Sequence, residues 1–157
     1  SGLSLATGSN IVCDPVNASY CYALNSSGCT LVSSNGGKSF STSGCTGSSS
    51  FGYMRIVPGR EGHLWAPLSG NGLAYSTDKG ATWTNLSGVY ADAVGIGKAA
   101  AGASYETLFI WGYTSGSSTK GIYRSTVKGA TWVRINDDTH QFGGPGNGNF
   151  VIGDMNT

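Results

Sequence analysis

The sequence predicts an all-β chain assembled from β-propeller blades, each a sheet of four short antiparallel strands, and three observations predict it. A pattern of eight residues occurs at 33–40, 76–83 and 125–132, at steps of 43 and 49 residues, the spacing of a repeated supersecondary unit. Each copy follows a strand-like lead-in: Thr30-Leu31-Val32, Leu73-Ala74-Tyr75 and Ile122-Tyr123-Arg124. The composition agrees, with 26 glycines and only 11% charged residues among 157. Ser, Thr, Gly and Asn punctuate every apolar run, as expected of short strands joined by tight turns.

In chain order, strand-like runs fall at 10–13, 20–24, 30–33, 53–57, 64–67, 73–76, 93–96, 108–112, 122–125 and 132–135, with turns such as Pro58-Gly59-Arg60-Glu61-Gly62 between them. Helical periodicity is confined at best to 98–103 and is broken by glycine. Each repeat thus supplies about four strands, the content of one blade, and the octet sits at the hairpin between the third and the fourth.

The octet reads S-x-D-x-G-x-[ST]-[WF]. Asp78, or Asn35 in the first copy, is expected to accept hydrogen bonds from backbone amides two or three residues on, while Gly37, Gly80 and Gly129 supply the positive φ of the turn. Phe40, Trp83 and Trp132 are expected to pack beneath the turn and pin it to the blade. Ser76 and Asp78 lie close enough to look catalytic, but Val127 stands at the aspartate position of the third copy. It keeps the shape without the chemistry, which favours a structural turn.

Cys13 and Cys21 are symmetric about Asn17, and Cys29 and Cys45 about Gly37, so each pair would face itself across a hairpin. Pairings 13–21 and 29–45 are therefore expected on geometric grounds, although four cysteines allow three connectivities or four reduced thiols. The spacings match no zinc pattern and His63 and His140 are far apart in sequence, so neither a metal nor another cofactor is expected. Sequons at Asn17, Asn25 and Asn85 sit in turn-like sequence and point to a secreted, glycosylated chain, although in so Ser/Thr-rich a chain some arise by chance. A net charge of +1 without a basic run gives no footprint for nucleic acid. No apolar stretch approaches the roughly 20 residues of a membrane span, and nothing at the N-terminus looks like a signal peptide, as would also hold for a processed chain.

The octet resembles the Asp-box of sialidases and related propellers. A more specific resemblance runs from Phe51 to Gln141, carried by Val57-Pro58-Gly59-Arg60-Glu61-Gly62-His63-Leu64-Trp65, by Ala91-Asp92-Ala93-Val94-Gly95-Ile96-Gly97-Lys98-Ala99-Ala100, and by Gly129-Ala130-Thr131-Trp132-Val133-Arg134-Ile135-Asn136-Asp137-Asp138 with His140-Gln141. In residues and in order these segments are similar to the C-terminal part of a glycoside hydrolase family 74 xyloglucanase. The resemblance covers nearly the whole chain, more loosely before Phe51. It implies a secreted enzyme of two seven-bladed propellers facing each other across a cleft, in which a xylose-decorated β-1,4-glucan is hydrolysed with inversion. Inversion takes two carboxyl groups roughly 6.5–9.5 Å apart. In the family these are aspartates in motifs of the kind Thr-Asp-Ile-Gly-Gly and Gly-Asp-Val-Gly-Gly, and neither motif occurs here. Gly153-Asp154-Met155 is the nearest fragment, and no catalytic role carries over to it.

At roughly 45 residues per blade the chain makes about three and a half blades, whereas propellers close with at least about four. Residues 1–157 are accordingly expected to be part of the C-terminal propeller, with the remainder of that propeller as a partner and no activity of their own. No catalytic residue is assigned. Asp14 and Asp78 read as turn residues, Asp137-Asp138 as a solvated turn, and Glu61, Asp92, Glu106 and Asp154 show no neighbour in sequence that would tune them. Sugar binding is the more plausible contribution, because pyranose C–H faces want exposed aromatic platforms beside hydrogen-bonding groups. Trp111 and Tyr113 at a loop-like place, and His140, Gln141 and Phe142 before Gly143-Gly144-Pro145-Gly146, are the candidate contacts, against the plainer reading of packing between blades. Trp65 reads as core. A non-catalytic glycan-binding or lectin-like propeller fragment is the alternative function. A sialidase is disfavoured, since Arg55, Arg60, Arg124 and Arg134 show no setting of the arginine triad such enzymes need.

Overall fold

The computed structural model describes residues 4–5, 9–49, 52–140 and 151–156. Its strands form three four-stranded antiparallel sheets, each in sequence order. The first blade holds β1 (Val12–Cys13), β2 (Cys21–Leu24), β3 (Cys29–Ser33) and β4 (Ser41–Cys45). The second holds β5 (Arg55–Ile56), β6 (Leu64–Pro67), β7 (Leu73–Ser76) and β8 (Thr84–Asn85). The third holds β9 (Val89–Gly97), β10 (Thr107–Thr114), β11 (Ser117–Ser125) and β12 (Val133–Arg134). Among the described residues there is no helix, and 98–103 turns at Ala101 and Gly102, where φ is +76° and Ala103 N–H donates to Ala100 C=O at 2.9 Å.

Every strand-like run has its strand, and two strands lack a predicted run. β4 reads Ser-Thr-Ser-Gly-Cys and β8 Thr-Asn, both the last in their sheets and largely exposed, so no apolar period marks them. The middle blade shows the opposite pattern. Leu64 and Ala66 of β6 face a core shared with Tyr22, Leu24 and Met54, whereas Trp65 faces a second core with Val94, Leu108 and Ile110. Both faces of the sheet are covered by neighbouring blades, so β6 is apolar without alternation.

The octets form the β3–β4, β7–β8 and β11–β12 hairpins, with a different set of bonds from the one expected. Ser76 Oγ accepts the Gly80 amide at 2.9 Å and donates to Asp78 Oδ1 at 2.7 Å. Asp78 in turn accepts the Thr82 amide at 2.9 Å and its hydroxyl at 2.6 Å. The carboxylate therefore reaches four residues on, as does Asn35 to the Ser39 amide at 3.0 Å. The feature common to all three turns is serine: Ser33 and Ser125 Oγ accept from Gly37 and Gly129, each at 2.9 Å. Val127 is tolerated because that bond does not need the carboxylate. Paired positive φ values close the turns, at Gly36 and Gly37, Lys79 and Gly80, and Lys128 and Gly129.

The aromatic position also reaches further than expected. Trp83 Nε1 donates to Thr30 Oγ1 of the first blade at 2.9 Å, and Thr30 Oγ1 donates to Gly80 C=O at 3.1 Å. A Cβ on Gly80 would stand 2.5 Å from Thr30 side-chain atoms. The turn of the second blade is thus docked on the first. Trp132 holds its own turn through Gly129 C=O at 3.0 Å while packing against the core around Trp65. Asp14, only 2% exposed, caps its turn by accepting the Val16 amide at 2.9 Å and also crosses blades, accepting the Gly62 amide at 2.8 Å. Residues 151–156 run beside β9, where Lys98 N–H donates to Asp154 C=O at 2.8 Å. Gly95 and Gly97 lack the Cβ that this approach would strike.

Both expected disulfides are present. Cys13–Cys21 joins directly paired residues of β1 and β2, and Cys29–Cys45 those of β3 and β4. Cross-strand cystines of this kind fit an oxidising compartment. Asn17 and Asn25 lie in turns, whereas Asn85 lies in β8, with its Nδ2 donating to Thr46 C=O at 3.2 Å. The turn expected for that sequon is a strand because β8 is too short and polar to register as one.

Candidate functional site

Antiparallel order puts the octets and the first hairpin turn of each blade at one end of the strands, and the second hairpin turns and the connections between blades at the other. Of the residues proposed for sugar contact, Trp111, Tyr113 and His140 fall at the second end. Trp111 and Tyr113 are strand residues of β10, a correction to their expected loop setting: β10 continues to Thr114, paired with Val89 and Ser117. The Gly112 between them is a strand position where a Cβ would collide with Tyr90 C=O. Alternation then sends Ile110 into the core and leaves Phe109, Trp111 and Tyr113 half-buried on the opposite face.

Tyr113 stacks on Tyr90 with ring centroids 4.7 Å apart and planes within 16°. Trp111 is half-buried, and its buried Nε1 has no hydrogen-bond partner among the described residues. Close by, the register shift between Trp111–Ala93 and Gly112–Ala91 makes Asp92 the extra residue of a bulge in β9, a device that re-aims a side chain. Asp92 Oδ1 accepts the Ser69 hydroxyl at 2.7 Å and Oδ2 the Lys120 ammonium at 2.7 Å. Tyr90, Ser69 and Lys120 were not singled out in the sequence, and Asp92 was weighed there only as a carboxylate without a tuning neighbour. Tyr90 is the second residue of the strand whose motif contains Asp92, which is the one signal that could have found it.

His140 is exposed at the same end, bonded through Nδ1 to Asp137 at 2.8 Å. That bond, with those from the Thr139 side chain and the backbone amides of both, holds the Asp137 carboxyl down at about 2. Gln141 and Phe142 lie outside the described residues. His63 sits at the octet end on the Tyr105 hydroxyl at 3.3 Å, so the two histidines do not meet. Among the described residues no three His, Cys, Asp or Glu side chains gather as a metal site would require. What the second end offers is an aromatic stack and a carboxylate held between a hydroxyl and an ammonium group.

No family model matches the chain. It is 41% identical over 141 residues to a xyloglucanase of Paenibacillus sp., a match spanning 84% of this chain and 13% of that protein. Among solved structures it superposes on the glycoside hydrolase family 74 enzyme of Niastella koreensis with a TM-score of 0.87 and 48% identity, over 94% of this chain and 22% of the other. It also superposes on the family 74 xyloglucanase of Xanthomonas campestris with a TM-score of 0.79 and 32% identity, over 95% and 21%. The chain spans between about an eighth and a fifth of these relatives. With such identity carried along nearly all of its described sheets, the chain belongs to glycoside hydrolase family 74, of whose propeller architecture it is a part.

Proposed function

We propose that this chain is a segment of the C-terminal propeller of a secreted, inverting hydrolase of xyloglucan, and that the catalytic aspartates stand elsewhere in the protein. The observation that carries the reading is the 41% identity to a xyloglucanase across 84% of the chain. The segment supplies scaffold and glucan contacts, the latter at the end where Trp111, Tyr113 and His140 lie. Exposed apolar side chains support the remainder of the propeller as a partner: Val133 is 58% exposed, Ile135 47% and Ile152 75%. All three follow β11 in the chain, in or after the last of the described blades.

The test measures reducing ends released from xyloglucan by the whole protein and by residues 1–157 alone. Release by the whole protein and none by the segment is expected. Binding of xyloglucan by the whole protein without release would replace this reading with the lectin-like one.

A further inference from the structure

The octet end carries a cavity that the hydrolase reading leaves unused. It is an open cleft of about 640 Å³ between the β5–β6, β9–β10 and β11–β12 turns, lined by Arg60, Ser104, Tyr105, Thr126 and Lys128 beside the alanines of the 100–103 loop. That volume lies in the range of small-molecule sites. Tyr105 forms its floor, buried, with its hydroxyl accepting from Trp65 Nε1 at 3.2 Å. The Arg60 guanidinium lies 4.6 Å above the Tyr105 ring, and the Lys128 ammonium lies 4.5 Å from the Tyr75 ring and 5.4 Å from that of Tyr105.

Comparison of two octets within the chain shows what is unusual. Lys79 and Lys128 occupy the same octet position, both with positive φ, and both reach over a tyrosine, Tyr20 in the first case at 3.9 Å. Lys79 is neutralised by Glu61 of its own blade at 2.8 Å. In the third blade the carboxylate nearest the same turn, Glu106, is bound instead to Arg60 at 2.6 Å. Lys128 is left with no carboxylate among the described residues, and Val127 stands where the octet would have placed one. The Arg60–Glu106 pair is neutral, so the cavity keeps a single excess positive charge beside hydroxyls and apolar walls.

We propose that this cavity is a second carbohydrate site, specific for an acidic sugar: a uronic acid whose carboxylate meets Lys128 and whose ring lies against the 100–103 loop and Val127. One unneutralised cation calls for a monoanion. Ser104 and Thr126 supply partners for ring hydroxyls, and the alanines and Val127 supply surface for C–H faces. β10 separates this cavity from Tyr113, at the opposite end of an eight-residue strand, roughly 20 Å away. The site is therefore distinct from the glucan contacts, and it does not depend on them.

The experiment is calorimetric titration of the full-length protein with D-glucuronate, with D-glucose and acetate as the neutral sugar and the bare carboxylate. Glucuronate is expected to bind at least tenfold more tightly than either. Lys128→Met keeps the aliphatic stem and should weaken glucuronate at least tenfold. Lys128→Gln likewise removes the charge and should weaken glucuronate as strongly. Xyloglucan hydrolysis should be unchanged in both variants, which separates failure here from failure of the hydrolase reading. Equal binding of glucose or acetate, or glucuronate affinity unaltered in a folded Lys128→Gln protein, would overturn the proposal.

Discussion

Replacing Asp14 with alanine should loosen the junction between the first and second blades far more than its place in a surface turn would indicate. Asp14 is 2% exposed and serves two groups besides its own turn: the Gly62 amide at 2.8 Å and the Tyr22 hydroxyl at 3.2 Å. Both are buried, and among the described residues neither has another acceptor. A buried donor left unpaired costs about 1–3 kcal/mol, so two of them cost about 2–6 kcal/mol. At 1.36 kcal/mol per factor of ten, amides held at this junction should lose between about thirtyfold and about twenty-five-thousandfold of their exchange protection. The Lys79 amide, which donates to Gly62 C=O at 3.0 Å, reports this without itself touching Asp14. The assay is hydrogen exchange on the full-length protein, compared with an exposed turn substitution such as Asn35→Ala. The Tyr22 phenol adds a second readout. Burial, followed by Asp14, pushes its pKa well above the ordinary value. Asp14→Asn should bring it down, yet not to the value of a solvated tyrosine, because the burial remains. A protection loss under about threefold at Lys79 would refute the reasoning.

Gly80→Ala and Gly36→Ala separate backbone strain from collision. Both glycines have positive φ, but an added Cβ meets Thr30 at 2.5 Å from Gly80 and nothing within 4 Å from Gly36. The first substitution should cost about 2–5 kcal/mol and the second about 1–2, read from denaturant midpoints; equal costs would count against docking of the turn on the first blade. Trp65, wholly buried between the second and third blades, should cost about 3–5 kcal/mol as alanine, and a cost under about 1 kcal/mol would remove it from the core. For Asp137, whose folded pKa of about 2 lies below the ordinary 3.8, the local stabilisation is complete above pH 3.8 and lost as pH falls towards 2. His140→Ala should return the carboxyl towards its ordinary value in a carbon NMR titration, and an unmoved midpoint would refute the assigned cause.

The fold was legible where side-chain chemistry repeats. The octets marked the hairpins, the apolar runs marked the strands buried between blades, and the symmetry of the cysteines marked both disulfides. β4 and β8 were not legible, because the last strand of a sheet needs only backbone pairing and carries Ser, Thr and Asn as readily as a loop does. The contacts between blades were hidden for a different reason. Trp83 with Thr30, Asp14 with Gly62 and Arg60 with Glu106 join residues about 45–55 positions apart, and no local pattern announces such partners. The same holds at the candidate site. Trp111 and Tyr113 could be named as aromatics flanking a glycine, but the Tyr90 stack and the Asp92 bulge follow from strand register, which one sequence does not display.

The most direct measurement is proton NMR of the whole protein acting on xyloglucan, recording the anomer of the reducing end as it first appears. Oligosaccharides released in the α configuration from the β-1,4-linked backbone are the expected result, since an inverting carboxyl pair requires it. First appearance of the β anomer, or no release at all, would contradict the assignment of this segment to an inverting xyloglucan hydrolase.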